Sequence, residues 1–562
     1  MTTTPEKVSA LKISLREARH RQGALNGHDL IARSLRELGV THVFGISGTP
    51  VYETHAACAK AGMRVIGVRH QQAAAMMAAA QNYACGRMVA AVILSAGPAV
   101  TNAATGILVA HDNGWPLLVL GGRRPLHMQH LGSFQQLDAI PIFRPITKCA
   151  CLIEGAAEIP EMLARAFRIA VSGRPGPVYL DVPEEALQKT AIVGQPASSQ
   201  PKSQTIESAL LDHAADILLI AERPALIIGD GLRWSAPFAE LGQLVAQLKA
   251  PFVTSPMARG FLPDDHPLCH NAARSTVLST ADAIVIAGAR LDWTFRYGAE
   301  IARDAKMILV GTEECEFGVN VASAVGIAGD AKLILSELLV RLARGEPQAI
   351  RNAGWREHLA AKRQETIAKW QAPAQTDVFP MSPQRLILEI RDAIPREAIR
   401  VVDGNIIMET AQQLLPSYSP VSRFSPGHNG CMGIGIPFGI GAQLAFPERP
   451  VVVISGDFAF GLSAMEMETA VRLRLPVIVI VANNDGNAGL LLQKRFYPED
   501  YPDRVTAFQP GIRYEQIMRA FGGHAESVER PADLRPAFER AIACGVPACI
   551  NVRVNSQSPF PQ

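Results

Sequence analysis

Two short polar segments that follow apolar runs have the residue types of a metal–diphosphate site. The run VVVIS ends at Gly456 and Asp457, and the run VIVIVA is followed closely by Asn484 and Gly486. A carboxylate, an amide oxygen and a backbone carbonyl form an oxygen-rich partial shell that suits Mg²⁺ bridging a diphosphate. The alternative is structural, with Gly-Asp closing one strand and Asn-Asp-Gly making a turn after another.

The spacing of the two segments favours the metal site over the turn. Both apolar runs are typical of buried strands, and between them a turn and then a helix-like stretch from about Leu462 are expected. In a right-handed strand–helix–strand unit both strand ends emerge at the same edge of the sheet. We therefore expect Asp457 and Asn484 to converge, with helix N–H groups available for phosphate.

Similar apolar runs recur in three blocks, which predict an α/β protein with three doubly wound parallel-sheet domains at 25–190, 205–344 and 382–555. The polar stretches Gly194–Thr205 and Gly345–Pro380 read as linkers, the second holding a helical pattern. Buried strands are predicted at Val89–Ser95, Pro116–Leu120, Gly176–Pro183, Pro224–Gly231, Ala281–Arg290, Lys306–Gly311, Ile399–Val402, Pro450–Ser455, Pro476–Ala482 and Ala548–Val554.

Composition excludes several classes of protein. The 562 residues are 48% hydrophobic and 19% charged with a net charge of +2, which indicates a large globular protein without a footprint for nucleic acid or an anionic membrane. No apolar run approaches the ~20 residues that span a bilayer. The first 25 residues lack a signal peptide's apolar core, and nine scattered cysteines suit a reducing compartment, so a cytoplasmic protein is expected. Cys149 and Cys151 have no neighbouring third ligand, which disfavours zinc.

The segments around Asp457 and Asn484 resemble the thiamine-diphosphate signature, in which Gly-Asp-Gly is followed at this interval by Asn-Asn. The resemblance implies that Mg²⁺ is bound by Asp457, Asn484 and the carbonyl of Gly486. Phe458 departs from the signature's second glycine, which removes no ligand. The cofactor-binding residues that the resemblance implies are Gly48, Pro50, Met432, Gly433, Gly456, Asp457, Phe458, Ala459, Asn484 and Gly486.

The resemblance extends over nearly the whole chain and favours 2-hydroxyacyl-CoA lyases and oxalyl-CoA decarboxylases over acetolactate synthases and benzoylformate decarboxylases. It implies a pyrimidine-binding, a central and a diphosphate-binding domain, and a homodimer or homotetramer with active sites between subunits. The matching motifs include FGISGTPVYE (Phe44–Glu53), GSFQQLD (Gly132–Asp138), SPMARGFLPDDHP (Ser255–Pro267), GARLDW (Gly288–Trp293) and AFGLSAMEMET (Ala459–Thr469).

One residue that the family's chemistry uses is replaced. Members of the family normally carry a Glu that protonates the cofactor's pyrimidine ring, and Gln71 stands in its place in VRHQQAA. An amide can hydrogen-bond to the ring nitrogen but does not titrate usefully. We expect altered or slower cofactor activation, with near-normal activity by another route or none as alternatives. His70 beside it could face the site, although a structural histidine is the plainer reading.

Three further residues match positions around the cofactor. Met432, in HNGCMGIG, matches the bulky residue that holds the cofactor in its bent shape, and a core methionine is the alternative. Phe134 and Gln135 match the pair that faces the reacting centre in acyl-CoA lyases, where decarboxylases of this branch have Tyr and Glu. The catalytic candidates are therefore Gln71, His70, Phe134 and Gln135.

The resemblance does not decide whether the substrate contains a nucleotide. Arg259 and Arg274 match basic positions of a central domain that binds CoA or ADP, and surface salt bridges are the alternative. Gly311 stands where relatives have Asp, Asp403 replaces a Glu, and the C-terminus has no basic tail. The hypotheses are a 2-hydroxyacyl-CoA lyase or carboligase, a CoA-independent carboligase or decarboxylase of a small 2-oxo acid, and a weakly active or non-catalytic cofactor-binding paralogue.

Overall fold

A computed structural model describes residues 24–192, 206–375 and 379–558. They form two compact units, one before and one after residue 201. The predicted linker Gly194–Thr205 lies outside the described residues.

The first unit is built on a six-stranded parallel sheet in the order β3-β2-β4-β5-β7-β6, with the short antiparallel pair β1 and β8 beside it. The strands are β1 Leu25–Asn26, β2 His42–Gly45, β3 Arg64–Gly67, β4 Ala90–Leu94, β5 Leu117–Arg123, β6 Cys149–Leu152, β7 Pro177–Pro183 and β8 Thr190–Ala191. The α-helices are Gly27–Glu37, Tyr52–Lys60, Gln71–Cys85, Pro98–Asn102, Ala104–Asp112, Ile140–Phe143, Ile159–Val171 and Glu184–Gln188.

The second unit contains two parallel sheets. The first has the order β10-β9-β11-β12-β13 and buries an apolar cluster on each face. Its strands are β9 Pro224–Ile228, β10 Phe252–Thr254, β11 Ala283–Ala287, β12 Lys306–Gly311 and β13 Val325–Ala328. Its helices are Ser208–Ile220, Phe238–Leu248, Arg274–Thr280, Ala331–Leu342 and the following Ala353–Gln371.

The other sheet of this unit has the order β15-β14-β16-β17-β19-β18 and is parallel throughout. Its strands are β14 Ile399–Asp403, β15 Arg423–Phe424, β16 Val451–Gly456, β17 Ile478–Asn483, β18 His524–Val528 and β19 Ala548–Arg553. Its helices are Pro383–Ala393, Ile406–Leu414, Gly435–Ala445, Asp457–Gly461, Glu466–Leu473, Leu491–Phe496, Glu515–Ala520 and Pro531–Ala543.

The structure confirms the predicted α/β class with three doubly wound parallel sheets, and each predicted buried strand is present within three residues at either end. Each of the three parallel sheets lies inside one of the predicted domains 25–190, 205–344 and 382–555, whose boundaries themselves stay predictions. The helical pattern in the second polar stretch is also confirmed, as Ala353–Gln371.

The expectation of a turn and then a helix near Leu462 is wrong. A five-residue helix begins directly at Asp457, and the next one begins at Glu466. The carboxylate of Asp457 accepts a hydrogen bond from the Phe458 N–H at 2.8 Å. A negative charge in the first turn of a helix also interacts favourably with the helix dipole. The strand therefore passes into the helix without an intervening loop.

Candidate functional site

The carboxyl ends of β16 and β17 bring the predicted metal ligands together. The two strands are adjacent and parallel. Asp457 follows β16 with 1% of its surface exposed, and its Oδ2 accepts a hydrogen bond from the Gly486 N–H at 3.0 Å. Gly486 has φ +152°, and a Cβ there would lie 2.4 Å from the Thr506 carbonyl oxygen, so this close approach requires glycine.

Three oxygens have the spacing of a metal shell. The terminal amide atom of Asn484 lies 3.0 Å from Asp457 Oδ1 and 2.8 Å from the carbonyl oxygen of Gly486. Adjacent ligands of an octahedral Mg²⁺ with bonds of about 2.1 Å are separated by about 2.9 Å. With the amide oxygen facing the other two, three acceptors meet with no donor between them, an arrangement that a cation stabilises. The residues therefore fit Mg²⁺.

Without a cation, the same atoms can be satisfied by turning the Asn484 amide by half a turn. Its nitrogen then donates to Asp457 Oδ1 and to the Gly486 carbonyl, and its oxygen accepts from the Gly489 N–H at 3.3 Å. Burial raises the pKa of Asp457 to about 7, against the hydrogen bonds that it accepts from the N–H groups of Gly486 and Phe458. A divalent cation would favour the ionised carboxylate.

A cavity that is open to solvent lies over this edge of the sheet. Seven of the predicted cofactor-binding residues line it, namely Met432, Gly456, Asp457, Phe458, Ala459, Asn484 and Gly486. Sequence reasoning missed the others: Pro383, Gly404, Asn405, Ile406, Ile407, Ala482, Asn487, Ala488 and Val554. Gly404 and Asn405 directly follow β14, so the strand-end pattern that identified Asp457 could have identified them too.

The loop that carries Met432 is held by a buried carboxylate. Asp403, at the end of β14, is fully buried and accepts hydrogen bonds from the N–H groups of Gly433 at 3.2 Å and Gly435 at 2.7 Å. Burial raises its pKa to about 6, against these hydrogen bonds. Gly433 has φ +86°, and a Cβ there would lie 2.7 Å from Leu462 Cβ. Asp403 thus positions the backbone on both sides of this glycine.

In the first unit, Gln71 begins the helix Gln71–Cys85 and is 9% exposed. Its Oε1 accepts a hydrogen bond from Asn102 Nδ2 at 3.1 Å. The exposed His70 is the N-cap of that helix, and its Nδ1 accepts from the Gln72 N–H at 3.2 Å. The structure therefore gives His70 a capping contact, and its catalytic role stays a prediction.

Other predicted residues of the first unit surround the segment after β4. A Cβ on Gly48 would lie 2.8 Å from Ser95 Cβ, and a Cβ on Gly97 would lie 2.9 Å from Gln135 Cβ. Gln135 has φ +57°, an uncommon conformation for this residue type. Phe134 beside it is 70% exposed, so its ring is available for contact.

Pro50 joins the same region. Its Cδ would lie 2.6 Å from a Cβ on Gly122, at the end of β5. The segment that follows β2 is thereby packed against the end of β5.

The two arginines predicted to bind a nucleotide are engaged within the second unit. Arg259 is 8% exposed and pairs through Nη2 with Asp264 at 2.7 Å, while its Nη1 donates to the Gln412 carbonyl. Arg274 donates to the Thr294 carbonyl at 3.0 Å and lies 3.6 Å from Glu300. Their assignment to a nucleotide stays a prediction.

Two other sequence expectations concern metals and membranes. Cys149 and Cys151 lie with their Sγ atoms 2.9 Å apart on β6, and within the described ranges no group of three or more His, Cys, Asp or Glu side chains could hold a metal ion. The proposed site at Asp457 is not a group of this type, since its ligands are one carboxylate and two neutral oxygens. Among the described helices, none is long and apolar enough to cross a bilayer.

Comparison with known families agrees with this geometry. The chain matches the thiamine pyrophosphate enzyme N-terminal TPP-binding domain at residues 25–142, the central domain at 211–338 and the C-terminal TPP-binding domain at 404–552. The matched C-terminal residues contain the three oxygens and every residue that lines the cavity except Pro383 and Val554.

Curated relatives align over almost the full length. The chain is 34% identical to a 2-hydroxyacyl-CoA lyase of Oryza sativa subsp. japonica, with 94% of this chain and 96% of the relative covered. It is also 34% identical to the acetolactate synthase large subunit IlvG of Mycobacterium tuberculosis, covering 95% and 96%. It is 31% identical to the oxalyl-CoA decarboxylase of Escherichia coli K12, covering 94% and 95%.

Proposed function

Because the chain belongs to the thiamine pyrophosphate enzyme family, we propose that it is a thiamine-diphosphate- and Mg²⁺-dependent carbon–carbon lyase or carboligase of the 2-hydroxyacyl-CoA lyase type. The observation that carries the cofactor part is the meeting of three oxygens, from Asp457, Asn484 and Gly486, under a cavity lined by Met432. When bound, thiamine diphosphate supplies a nucleophilic carbon and then an electron sink for the C–C bond being broken or formed.

The chain's own residues have distinct tasks in this proposal. Asp457, Asn484 and the Gly486 carbonyl would hold Mg²⁺ and through it the diphosphate, and Met432, which lines the same cavity, would support the cofactor. Gln71 binds the pyrimidine ring through its amide without exchanging a proton. Phe134 and Gln135 contact the substrate, with His70 close to Gln71.

The lyase type is supported by two similarities. Relatives named 2-hydroxyacyl-CoA lyase from rice, human and mouse are 31–34% identical to this chain. The Phe134–Gln135 pair also has the residue types that the resemblance assigns to lyases. Arg274, which is about one-third exposed, is our candidate for a CoA or ADP phosphate, with Arg259 available only if its pair with Asp264 opens.

A CoA-independent carboligase or decarboxylase of a small 2-oxo acid is the second candidate. The observation that favours it is the internal engagement of Arg259, which leaves no ready phosphate ligand at that position. A relative named acetolactate synthase is as similar as the plant lyase. This candidate keeps the cofactor site and removes the nucleotide from the substrate.

The test compares three substrates at matched concentration, with thiamine diphosphate and Mg²⁺ present or omitted. They are a 2-hydroxyacyl-CoA, the same acyl group on N-acetylcysteamine, and pyruvate. We expect cofactor-dependent release of an aldehyde from the CoA thioester, with the truncated thioester at least about tenfold slower because it lacks the nucleotide contacts. Equal rates on the two thioesters, or turnover of pyruvate alone, would support the second candidate.

Asp457→Ala is the site variant for this assay, and Asp533→Asn, in a surface ion pair with Arg530, is its matched control. Turnover that survives Asp457→Ala would contradict the proposed site. Absence of turnover on every substrate, with the cofactor bound, would support the non-catalytic alternative.

We also propose a cytoplasmic homodimer or homotetramer whose active sites combine the first domain of one subunit with the third of another. Co-expression of differently tagged Gln71→Leu and Asp457→Ala subunits tests this arrangement. Each variant alone is expected to be impaired, and the mixed oligomer is expected to regain activity at the site formed by two unmodified halves. No recovery in purified mixed oligomers would place both residues in one subunit.

A further inference from the structure

His428 lies between two carboxylates, Asp230 and Asp292, that follow strands of the central sheet, which is the sheet β10-β9-β11-β12-β13. Its Nδ1 is 2.5 Å from Asp292 Oδ2 and its Nε2 is 3.1 Å from Asp230 Oδ1. The side chain is 9% exposed. Because each ring nitrogen faces an acceptor, both must donate, and an imidazole that donates from both nitrogens is the charged form.

The two carboxylates occupy a particular place in the topology. Asp230 follows β9 and Asp292 follows β11, which are neighbours in the order β10-β9-β11-β12-β13. The chain leaves β9 for β10 on one side and then enters β11 on the other, so the crevice between β9 and β11 is a topological switch point. Ligands of doubly wound domains commonly bind in such a crevice. Here it receives a side chain from the segment that precedes the cofactor cavity.

The charges around His428 favour its protonated form. Burial opposes protonation, but the charge of Asp230 and the hydrogen bonds to Asp230 and Asp292 raise the pKa of His428 to about 9, with Arg290 acting in the opposite direction. Burial likewise opposes ionisation of Asp230, yet His428 and the Ser255 hydroxyl, at 2.7 Å, hold its pKa at about 2. The group therefore carries two negative charges and one positive charge at neutral pH.

The same segment is connected to the cavity in two further ways. The Trp293 indole N–H donates to the His428 carbonyl at 2.8 Å, and a Cβ on Gly430 would lie 3.9 Å from the Trp293 ring. Met432 follows two residues later, and the chain beyond it is held by Asp403 through Gly433 and Gly435. The loop 428–435 is thus attached to the central sheet at one end and to β14 at the other.

We propose that His428 is a positioning residue that holds the Met432 loop in its cofactor-binding position by bridging Asp230 and Asp292 of the central domain. Removing the positive charge leaves the buried carboxylate of Asp230 and the partly buried carboxylate of Asp292 without a cation between them, which disfavours this arrangement and releases one end of the loop. The central domain thereby influences cofactor affinity through a protein contact. The proposal depends on family membership and on Met432 lining the cavity, and not on the substrate proposed above.

The experiment measures the dissociation constant of thiamine diphosphate with Mg²⁺ by calorimetry, without substrate, between pH 6.5 and 9.5. His428→Gln is expected to weaken binding at pH 7 by at least fivefold. His428→Lys, which keeps a positive charge, is expected to stay within about threefold of the unmodified protein. His428→Gln combined with Asp230→Asn, which removes one of the opposed charges, is expected to recover part of the loss.

The matched control is His524→Gln, since His524 pairs with Glu526 at 2.7 Å on β18. It is expected to leave the dissociation constant unchanged. The pH profile adds a second measure: affinity of the unmodified protein is expected to fall above about pH 9 as His428 loses its proton, and His428→Gln is expected to lack that fall. Equal affinity for His428→Gln and the unmodified protein would overturn the proposal.

A measurement on the unmodified chain covers the case in which the variants do not fold. With histidine labelled at ¹³Cε1, the NMR signal that disappears in His428→Gln, or that is assigned by elimination, is expected to keep its protonated shift up to pH 8. Titration of that signal between pH 6 and 7 would show that the bridge does not form. Because neither experiment uses substrate, failure of the proposed lyase activity would leave both results interpretable.

Discussion

Asn102 donates its side-chain N–H to the amide oxygen of Gln71 at 3.1 Å, which orients the Gln71 amide. With its oxygen engaged, Gln71 presents its NH₂ group as the remaining hydrogen-bonding function. A donor at this position suits an unprotonated ring nitrogen, whereas the family's usual Glu supplies a proton. In the proposed site, the replacement would therefore favour the unprotonated pyrimidine.

Gln71→Glu is expected to accelerate exchange of the cofactor's C2 proton by at least about tenfold, because a carboxylic acid can protonate the ring nitrogen. The exchange rate of bound thiamine diphosphate in D₂O, followed by quenched-flow NMR, measures this step without substrate. Gln72→Glu, one residue along the same helix, is the control and is expected to leave the rate unchanged. An unchanged rate for Gln71→Glu would mean that residue 71 does not face the ring.

Asp457→Asn is expected to weaken binding of the cofactor with Mg²⁺ by roughly 100-fold or more, because it removes the site's one charged ligand. Loss of a residue that only hydrogen-bonds to a metal ligand already costs about 10–100-fold in metal affinity. EDTA treatment of the unmodified protein is expected to release the cofactor, and Mg²⁺ to restore it. Calorimetry after dialysis measures both. Retention of tight binding in Asp457→Asn would place the metal elsewhere, and Asp533→Asn again serves as control.

Asp403→Asn is expected to remove a pH-dependent component of stability. The pKa of Asp403 is raised from 3.8 to about 6 in the folded chain, so the folded state binds this proton more tightly than the unfolded state. The free energy of unfolding therefore falls by about 3 kcal/mol as the pH rises through this interval.

The thermal midpoint of the Asn variant relative to the unmodified protein is accordingly expected to rise between pH 4 and pH 7. Differential scanning at several pH values tests this sign. A constant difference would show that Asp403 titrates near its ordinary value. The variant is also expected to bind the cofactor about tenfold less tightly. The N–H groups of Gly433 and Gly435 donate to different oxygens of Asp403, and Asn has an oxygen at only one of those two places.

Asn82→Leu is expected to destabilise the first unit by about 3–5 kcal/mol, because four buried hydrogen bonds are lost together. Asn82 is fully buried in the helix that begins at Gln71, and it donates to the carbonyls of Ala90 and Pro116 while accepting from the N–H groups of Val89 and Ala90. Chemical denaturation followed by circular dichroism measures the change. Asn102→Leu, at a partly exposed side chain, is the comparison and is expected to cost less than 1.5 kcal/mol, about the value of one hydrogen bond.

The parts of the fold that could be predicted from sequence are those set by local pattern. Long apolar runs ended by Gly or Asp identified the central strands, and adjacent strand ends brought Asp457 and Asn484 together as expected. Four-residue strands such as β2 and β13 were missed because runs of that length do not differ from turns or short helices. The helix at Asp457 was missed because it begins directly after Gly456, the last residue of β16, with no loop between them.

Side-chain partners could not be predicted, because they join distant segments. His428 and Asp230 are 198 residues apart, and no local signal links them. Arg259 has the residue type of a phosphate ligand, but the fold places Asp264 at 2.7 Å from it. His70 similarly gained a helix-capping contact that its position next to Gln71 did not indicate. Residue type indicates which ligands a side chain could bind, and the tertiary fold decides whether other residues already occupy its polar groups.

In the proposed Mg²⁺ site, the amide of Asn484 would make metal uptake an exchange reaction. In its turned orientation it donates hydrogen bonds to Asp457 and to the Gly486 carbonyl, so both acceptors are satisfied without a metal. Mg²⁺ binding as proposed would require these hydrogen bonds to break and the Asn484 amide to turn by half a turn, so that its oxygen faces Asp457 and the Gly486 carbonyl. Loading should therefore be slower than diffusion and weaker than the ligand set alone would allow, and a replacement such as Asn484→Asp, which has oxygen on both sides, should load faster.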